Sequence, residues 1–399
     1  MSQMSGETPD TQGGDAMVRL LDEARDRLPD WIELLRQIVD VDSGPGDVRG
    51  IDEVYDRLIG MLAPLGFDFQ RHPTPGPDVI HGRRTDTATG PRLLLVGHAD
   101  TVFPPGTVAR RPMRVEGDRI TGPGVADMKG GLVVAVAGLL IAGTGTLDRL
   151  DIEILVNGDE ESGSLHSRST IESLAAGADA VLVFEPGRPE SGVVTSRRGA
   201  HRFEVAVSGR PAHTGVNPAD GANAIEAAAH HVLAIQELGR RTPGGTVTAV
   251  MIDGGSRPNI VPDSATIRVD SRFDDDTTES AIVEAIGRLA GAGPVSGTRT
   301  VVRSLDQRPA FPRRDGGWFD RYRTVATRLG LDVSAESTGG SSDGNFTASL
   351  GIPTLDGLGA VGGGYHTSDE FIHLDSLATR AAMLAAVLDT EARGLADSD

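Results

Sequence analysis

Apolar positions recur with a helical period between residues 16 and 40 (MVRLLDEARDRLPDWIELLRQIVD). The segment is read as a helix that Pro29 interrupts and can split. Residues 51–65 carry a second amphipathic stretch. From 92 onward the pattern changes. RLLLVGH (92–98), DIEILVN (151–157) and AVLVFE (180–185) are short apolar runs of the kind that fill strands covered on both faces. Helical segments at 129–142 and near 166–176 separate them. This alternation predicts an α/β fold with a largely parallel sheet and helices on its faces.

The period changes again beyond residue 199. HRFEVAVSG (201–209), GTVTAVMIDGG (245–255) and SATIRVDSRF (264–273) alternate with period two, as half-buried strands do. Helical patterns at 220–239 and 277–291 lie among them. The order β-α-β-β-α describes a small two-layer α+β domain with an antiparallel sheet. After 310 the α/β pattern resumes with a helix at 316–329, a strand in IPTLDGLG, a glycine-rich loop and a terminal helix at 376–393. The expected organisation is a disordered tail (1–15), a main domain in two parts (16–198 and 310–399), and an inserted domain (199–309).

Composition narrows the function. The 399 residues carry a net charge of -19, which argues against nucleic acid or an anionic membrane as partner. An anionic substrate would need a local arginine cluster. The absence of cysteine excludes disulfides, thiolate metal sites and a cysteine nucleophile. The N-terminus shows no secretory pattern, so a cytoplasmic location is expected. The longest apolar run, GGLVVAVAGLLIAG (130–143), is shorter than the roughly 20 residues of a membrane span.

Against this background, certain acids and histidines stand out by position. His98, Glu160–Glu161 and Glu185 end or closely follow apolar runs, and Asp127 and His366 sit in glycine-rich loops. Burying unpaired charge there is costly, and bound metal ions would offset that cost. Asp100, two residues from His98, can share its face and hold its tautomer; a core histidine beside a turn aspartate is the plainer reading. GPGVADMKGG departs from a dinucleotide loop, because Asp127 stands where the third glycine belongs and would repel pyrophosphate. A helix-capping aspartate is the alternative there. Taken alone, the Glu160–Glu161 turn reads more plainly as an acidic surface turn. Gly362–Gly364 would permit close backbone approach before His366. Together the set offers mixed nitrogen and oxygen ligands suited to zinc, with manganese or cobalt as options. Two divalent ions bring four positive charges; Asp127, Glu161, Glu185 and a bridging hydroxide would balance them.

The motifs GHADTVFPPGT, GPGVADMKGG, NGDEESGS, FEPG, GRPAHTG, GGSRPNIVPDSA, RPAF and GGGYHTSDE span about residues 90–375. In these the chain resembles the M20 family of metallopeptidases, most closely its glutamate carboxypeptidase branch. The resemblance implies two zinc ions per subunit and an inserted dimerisation (lid) domain. It implies that His98, Asp127 and Glu185 hold one metal and that Asp127, Glu161 and His366 hold the other, with a cis peptide after Asp127. Glu160 would be the general base and Asp100 would orient His98. His213 would steady the oxyanion in the partner subunit's site. Asn259 and Arg272, and with a weaker match Arg308, would grip a substrate carboxylate in trans, a task for which arginine's planar fork is suited.

The expected protein is a homodimeric dizinc amidohydrolase. It would act on a small peptide or N-acyl amino acid and release a C-terminal, glutamate-like residue. A deacylase or desuccinylase of the same superfamily is the alternative, and a non-catalytic binding protein on this scaffold is the rival from another class. Glu185, rather than aspartate, leans toward carboxypeptidases and deacylases. Arg197 and Arg198, at the domain junction, are read as a solvated hinge, with further substrate contacts as the alternative. His72, His81, His166, His201, His230, His231 and His373 are assigned no role.

Overall fold

The computed structural model describes residues 19–84, 90–189, 192–314 and 317–394. The expected tail, 1–15, lies outside the described residues. Two compact units emerge. The first comprises residues 1–195, 314–337 and 342–399; the second comprises 196–313 and 338–341. The short return at 338–341 joins the second unit through backbone and side-chain bonds. The Arg198 amide donates to the Thr338 carbonyl (3.1 Å), and Arg197 Nη1 donates to the Gly340 carbonyl (3.1 Å). Arg198 Nε also lies 2.8 Å from Asp274 Oδ1. These two arginines stitch the unit together and are not a solvated hinge.

In the first unit a six-stranded mixed sheet runs in the order Phe67–His72, Val79–Arg84, Asp151–Asn157, Arg92–His98, Ala180–Val183, Thr354–Leu355. The last four strands are parallel and the first two are antiparallel. The parallel strands are apolar throughout because both their faces are covered. Leu93, Leu95, Ile152, Ile154 and Val156 join the core cluster containing the helices Gly130–Leu147 and Leu374–Gly394. Leu94, Val96, Leu155, Val181 and Val183 join Ile171, Ala175 and Phe346 on the opposite face. Each such side chain contributes about 1.5–3 kcal/mol on burial. The edge hairpin escaped the sequence reading because FDFQRH and VIHGRR are half polar and carry no continuous apolar run.

Helices bear out the periodicity with shifted ends. The first amphipathic segment splits at Arg27, and Pro29 falls in the first turn of Leu28–Val39, where a missing N–H costs little. The central helix follows the apolar run and breaks at Gly143 (φ 70°), after which a short helical segment reaches Leu147. Val125–Leu147 is long and apolar enough to cross a membrane, with a mean hydropathy of 1.9, yet 67% of that window is buried inside the protein. Packing against the terminal helix accounts for its composition.

The second unit is a five-stranded antiparallel sheet in the order Gly245–Gly254, Ser264–Phe273, Gly199–Ser208, Arg299–Arg308, Gly291–Ala292. Helices Ala224–Arg241 and Asp276–Gly287 bury one face over Phe203, Val205, Val207, Ile267 and Val269. Two layers form, as the pattern predicts. Arg299–Arg308 is an additional strand, masked in sequence by its charged and polar residues.

Candidate active site

The functional side chains of the first unit gather beyond the carboxyl ends of the parallel strands, where open α/β sheets place ligands. His98 closes strand Arg92–His98, Glu160 and Glu161 follow Asp151–Asn157 in a tight helical turn, and Glu185 lies two residues beyond Ala180–Val183. Asp127 precedes helix Gly130–Leu147 and is followed by a cis peptide, as the family resemblance implies. His366 stands in a loop with positive φ (61°).

Asp127 faces both histidines. Its Oδ1 lies 3.4 Å from His98 Nε2, and its Oδ2 lies 3.2 Å from His366 Nε2. Glu185 Oε1 lies 3.8 Å from His98 Nε2, and Glu161 Oε2 lies 3.3 Å from His366 Nε2. Ligand atoms of His98, Asp127 and Glu161 fall within 4.8 Å of one another, as do those of His98, Glu160 and Glu185. Asp100 braces the cluster. Its Oδ1 is 3.3 Å from His98 Nδ1, and its two oxygens accept the Glu160 amide (3.2 Å) and the Glu161 amide (2.9 Å). The Asp100 carbonyl also accepts from His98 Nδ1 (3.0 Å), so one residue fixes an imidazole and the turn carrying both glutamates.

The electrostatics follow from this crowding. Burial works against the charge on Asp127, but the two imidazoles outweigh it and hold the carboxyl well below the usual carboxylate range. Burial pushes Glu161 up to about 7, opposed by His366 and aided by the charge of Asp127. Asp127 and Glu161 raise His366 to about 10. Burial alone would lower His98, yet Asp100 and Asp127 raise it well above the usual imidazole value. The metal-free cluster is therefore held together by protons.

A metal fits better than protons do. His98 Nε2 and Glu161 Oε1 are buried with no hydrogen-bond partner among the described residues. Buried polar atoms without partners are uncommon, and these two point into a set of nitrogen and oxygen donors of the kind that first-row divalent metals take.

Glu370 was missed in the sequence. Fully buried, it ends GGGYHTSDE and accepts the amides of Gly124 (2.9 Å), Ala126 (2.9 Å) and Asp127 (3.0 Å). The signal was an acid immediately before a strand in a motif already singled out for His366.

His213, Asn259, Arg272 and Arg308 all belong to the second unit. His213 and Asn259 are exposed on adjoining loops, where the Thr214 amide donates to the Asn259 carbonyl (3.1 Å). Arg272 and Arg308 both register against Ala200, so they flank a small residue on the sheet face opposite the helices. Asp270 orients the Arg272 fork through bonds of 2.9 and 3.1 Å. Four of the unassigned histidines have partners. His81 meets Glu153 (2.8 Å), His201 meets Glu279 (3.0 Å) and Ser304 (2.7 Å), His231 meets Thr300 (2.8 Å), and His373 lies 3.7 Å from Asp118.

Comparisons with known proteins point the same way. Residues 94–390 match the family described as Peptidase family M20/M25/M40. The chain is 33% identical to carboxypeptidase G2 of Pseudomonas sp. (strain RS-16), over 92% of this chain and 91% of that protein. It is 29% identical to the succinyl-diaminopimelate desuccinylase of Rhodospirillum centenum, over 90% of this chain and 97% of the relative. The aminopeptidase PepT structure from Bacillus cereus superposes with a TM-score of 0.77 at 22% identity, covering 92% of this chain and 99% of that one. The chain therefore belongs to the M20 peptidase family and is a metallopeptidase or amidohydrolase of that family.

Proposed function

We propose that this protein is a dizinc hydrolase that cleaves an amide bond next to a free carboxylate and releases a C-terminal, glutamate-like amino acid. The observation that carries the reading is the Asp127 carboxylate, with one oxygen turned toward His98 and the other toward His366. Asp127 would be shared, with His98 and Glu185 completing one site and Glu161 and His366 the other. Zinc suits two histidines with carboxylates, and cobalt or manganese can substitute. When bound, such ions acidify water and polarise a carbonyl. Glu160, within ligand distance of His98 and Glu185, takes the proton from water and returns it to the leaving amine. Asp100 keeps His98 in the tautomer that presents Nε2.

The free carboxylate of the substrate is assigned to Arg272 and Arg308, with Asn259 beside them and His213 at the oxyanion. Ala200 between the arginines leaves room for a bound group, and Asp270 pre-sets one fork. Action from the second copy of a homodimer is supported by strand Gly245–Gly254. Among the described residues it is a sheet edge, and it exposes Val250, Met251 and Ile252 at 54%, 60% and 51%.

The test is a panel of N-acyl amino acids and short peptides that varies the C-terminal residue, with zinc or cobalt supplied. Turnover restricted to substrates with a free carboxylate supports the reading; indifference to that carboxylate sinks it. Preference for an N-succinyl group would favour the second reading, a deacylase, which the similarity to desuccinylases supports. Glu160→Gln should retain metal and lose about 10²–10⁴-fold in turnover. Heterodimers of Glu160→Gln with His213→Ala should regain part of the activity, since each subunit would supply what the other lacks. Confirmed heterodimers without recovery would refute action in trans.

A further inference from the structure

Glu370 is a buried carboxylate whose hydrogen bonds all go to a single turn. Oε2 accepts from the Gly124 amide, and Oε1 accepts from the amides of Ala126 and Asp127. That turn carries the shared ligand, and one of the three donors is the amide of Asp127 itself. Geometry ties both ends of the clamp together. Strand Phe371–His373 starts immediately after Glu370 and pairs with Arg119–Thr121, which leads into the turn. On the other side, His366 and Glu370 share the tight loop that follows Gly362–Gly363. A side chain at Gly364 would come within 2.5 Å of the Asp369 carbonyl, and the Thr367 amide donates to the Gly364 carbonyl (3.1 Å). The loop is therefore compact, and a shift of Glu370 would be passed to His366. Lys129, also buried, is anchored by Nζ on the Val41 carbonyl (2.8 Å); burial lowers it to about 7, and the charge of Glu370 works against that fall.

We propose that Glu370 is a positioning residue. Its carboxylate locks the Gly124–Asp127 turn so that Asp127 presents one oxygen to each histidine, and the same loop sets His366 against it. The proposal rests on the reading of Asp127 as the shared metal ligand. It does not make Glu370 a ligand or a catalytic residue, since both its oxygens are occupied by amides. A hydrogen bond to a backbone N–H contributes about 0.5–1.5 kcal/mol net, and the three amides oppose the burial that pushes Glu370 up to about 7, so together they hold a turn that would otherwise be free to rotate Asp127.

Glu370→Gln keeps the shape but offers one oxygen and one NH₂ to three amide donors. Two readouts decide. In the metal-free protein, hydrogen exchange at Gly124, Ala126 and Asp127 should quicken at least about 10-fold, with strand Arg92–His98 unchanged. Zinc affinity, measured by competition with a chelating dye, should fall about 10–100-fold, the usual effect of losing a group that orients a ligand. With zinc restored in excess, kcat should recover and KM should match the wild type. Unchanged zinc affinity overturns the proposal, whether or not exchange quickens, because the clamp would then serve only the loop. If Glu370→Gln does not fold, Glu370→Asp, which keeps the charge and shortens the reach, is judged by the same two readouts. Failure of both variants to fold also overturns it, placing Glu370 in the fold and not in the site. Wild-type protein that binds no zinc would instead refute the metal reading itself.

Discussion

Loading metal into this site should expel protons, and the number follows from the geometry. In the metal-free protein His366 is raised to about 10 by Asp127 and Glu161, so it is fully protonated at pH 7. His98 is also raised well above its ordinary value despite burial, which adds to the release. Glu161, pushed to about 7 by burial, is about half protonated. A ligand must be a neutral imidazole or an ionised carboxylate, so filling the site at pH 7 should release at least about 1.5 protons, one from His366 and about half of one from Glu161. Affinity must therefore rise with pH, by at least about one decade per unit near neutrality, and flatten only as pH passes 10. Zinc titration calorimetry at pH 7 in buffers of different ionisation enthalpy reads the count as the slope of heat against that enthalpy. His366→Ala should lower the slope by about one. A slope below one in the wild type, or no change in His366→Ala, would refute the account of a cluster held together by protons.

Two further outcomes test the scaffold. A methyl at Gly131 would lie 1.9 Å from the Phe184 carbonyl, so Gly131→Ala should push helix Gly130–Leu147 off the segment that carries Glu185. It should cost about 1–3 kcal/mol in urea unfolding and weaken zinc binding with it, and unaltered values for both would show that the contact can relax. Glu153, buried beneath the edge hairpin, is disfavoured by burial but held down to about 2 by His81 and Arg92. Because its folded value is depressed, its contribution of about 2–3 kcal/mol is present above about 4.5 and lost as pH falls toward 2. Glu153→Gln should be less stable at pH 7, and its stability should fall less steeply than the wild type's between pH 4.5 and 2. Parallel pH curves would refute the role.

Much of the fold could be read from sequence wherever burial was two-sided. Leu93 to Val96 alternate between two covered faces, so the strand appears as an unbroken apolar run. The hairpin Phe67–His72/Val79–Arg84 and the strand Arg299–Arg308 were hidden for the opposite reason. Charged and polar residues interrupt their apolar positions, and only tertiary pairing distinguishes them from loops. The insertion was visible because the hydrophobic period changes from continuous runs to alternation near residue 199.

The site shows the same division between what side chains signal and what backbone contacts conceal. His98, Asp127, Glu161, Glu185 and His366 were legible because charged residues at strand ends and glycine turns stand out against an apolar background. Glu370 is more deeply buried than His366, yet it gave no such signal. Its partners are three backbone amides, and an amide has no letter in the sequence. The same holds for Asp100, which was read as a partner of His98 alone. Its other bonds, to the amides of Glu160 and Glu161, make it the brace of the neighbouring turn. Each of these acids ties a ligand-bearing turn to the backbone of a second element. A substitution at either should therefore move more than one ligand at once, an effect that the sequence spacing of the ligands cannot disclose.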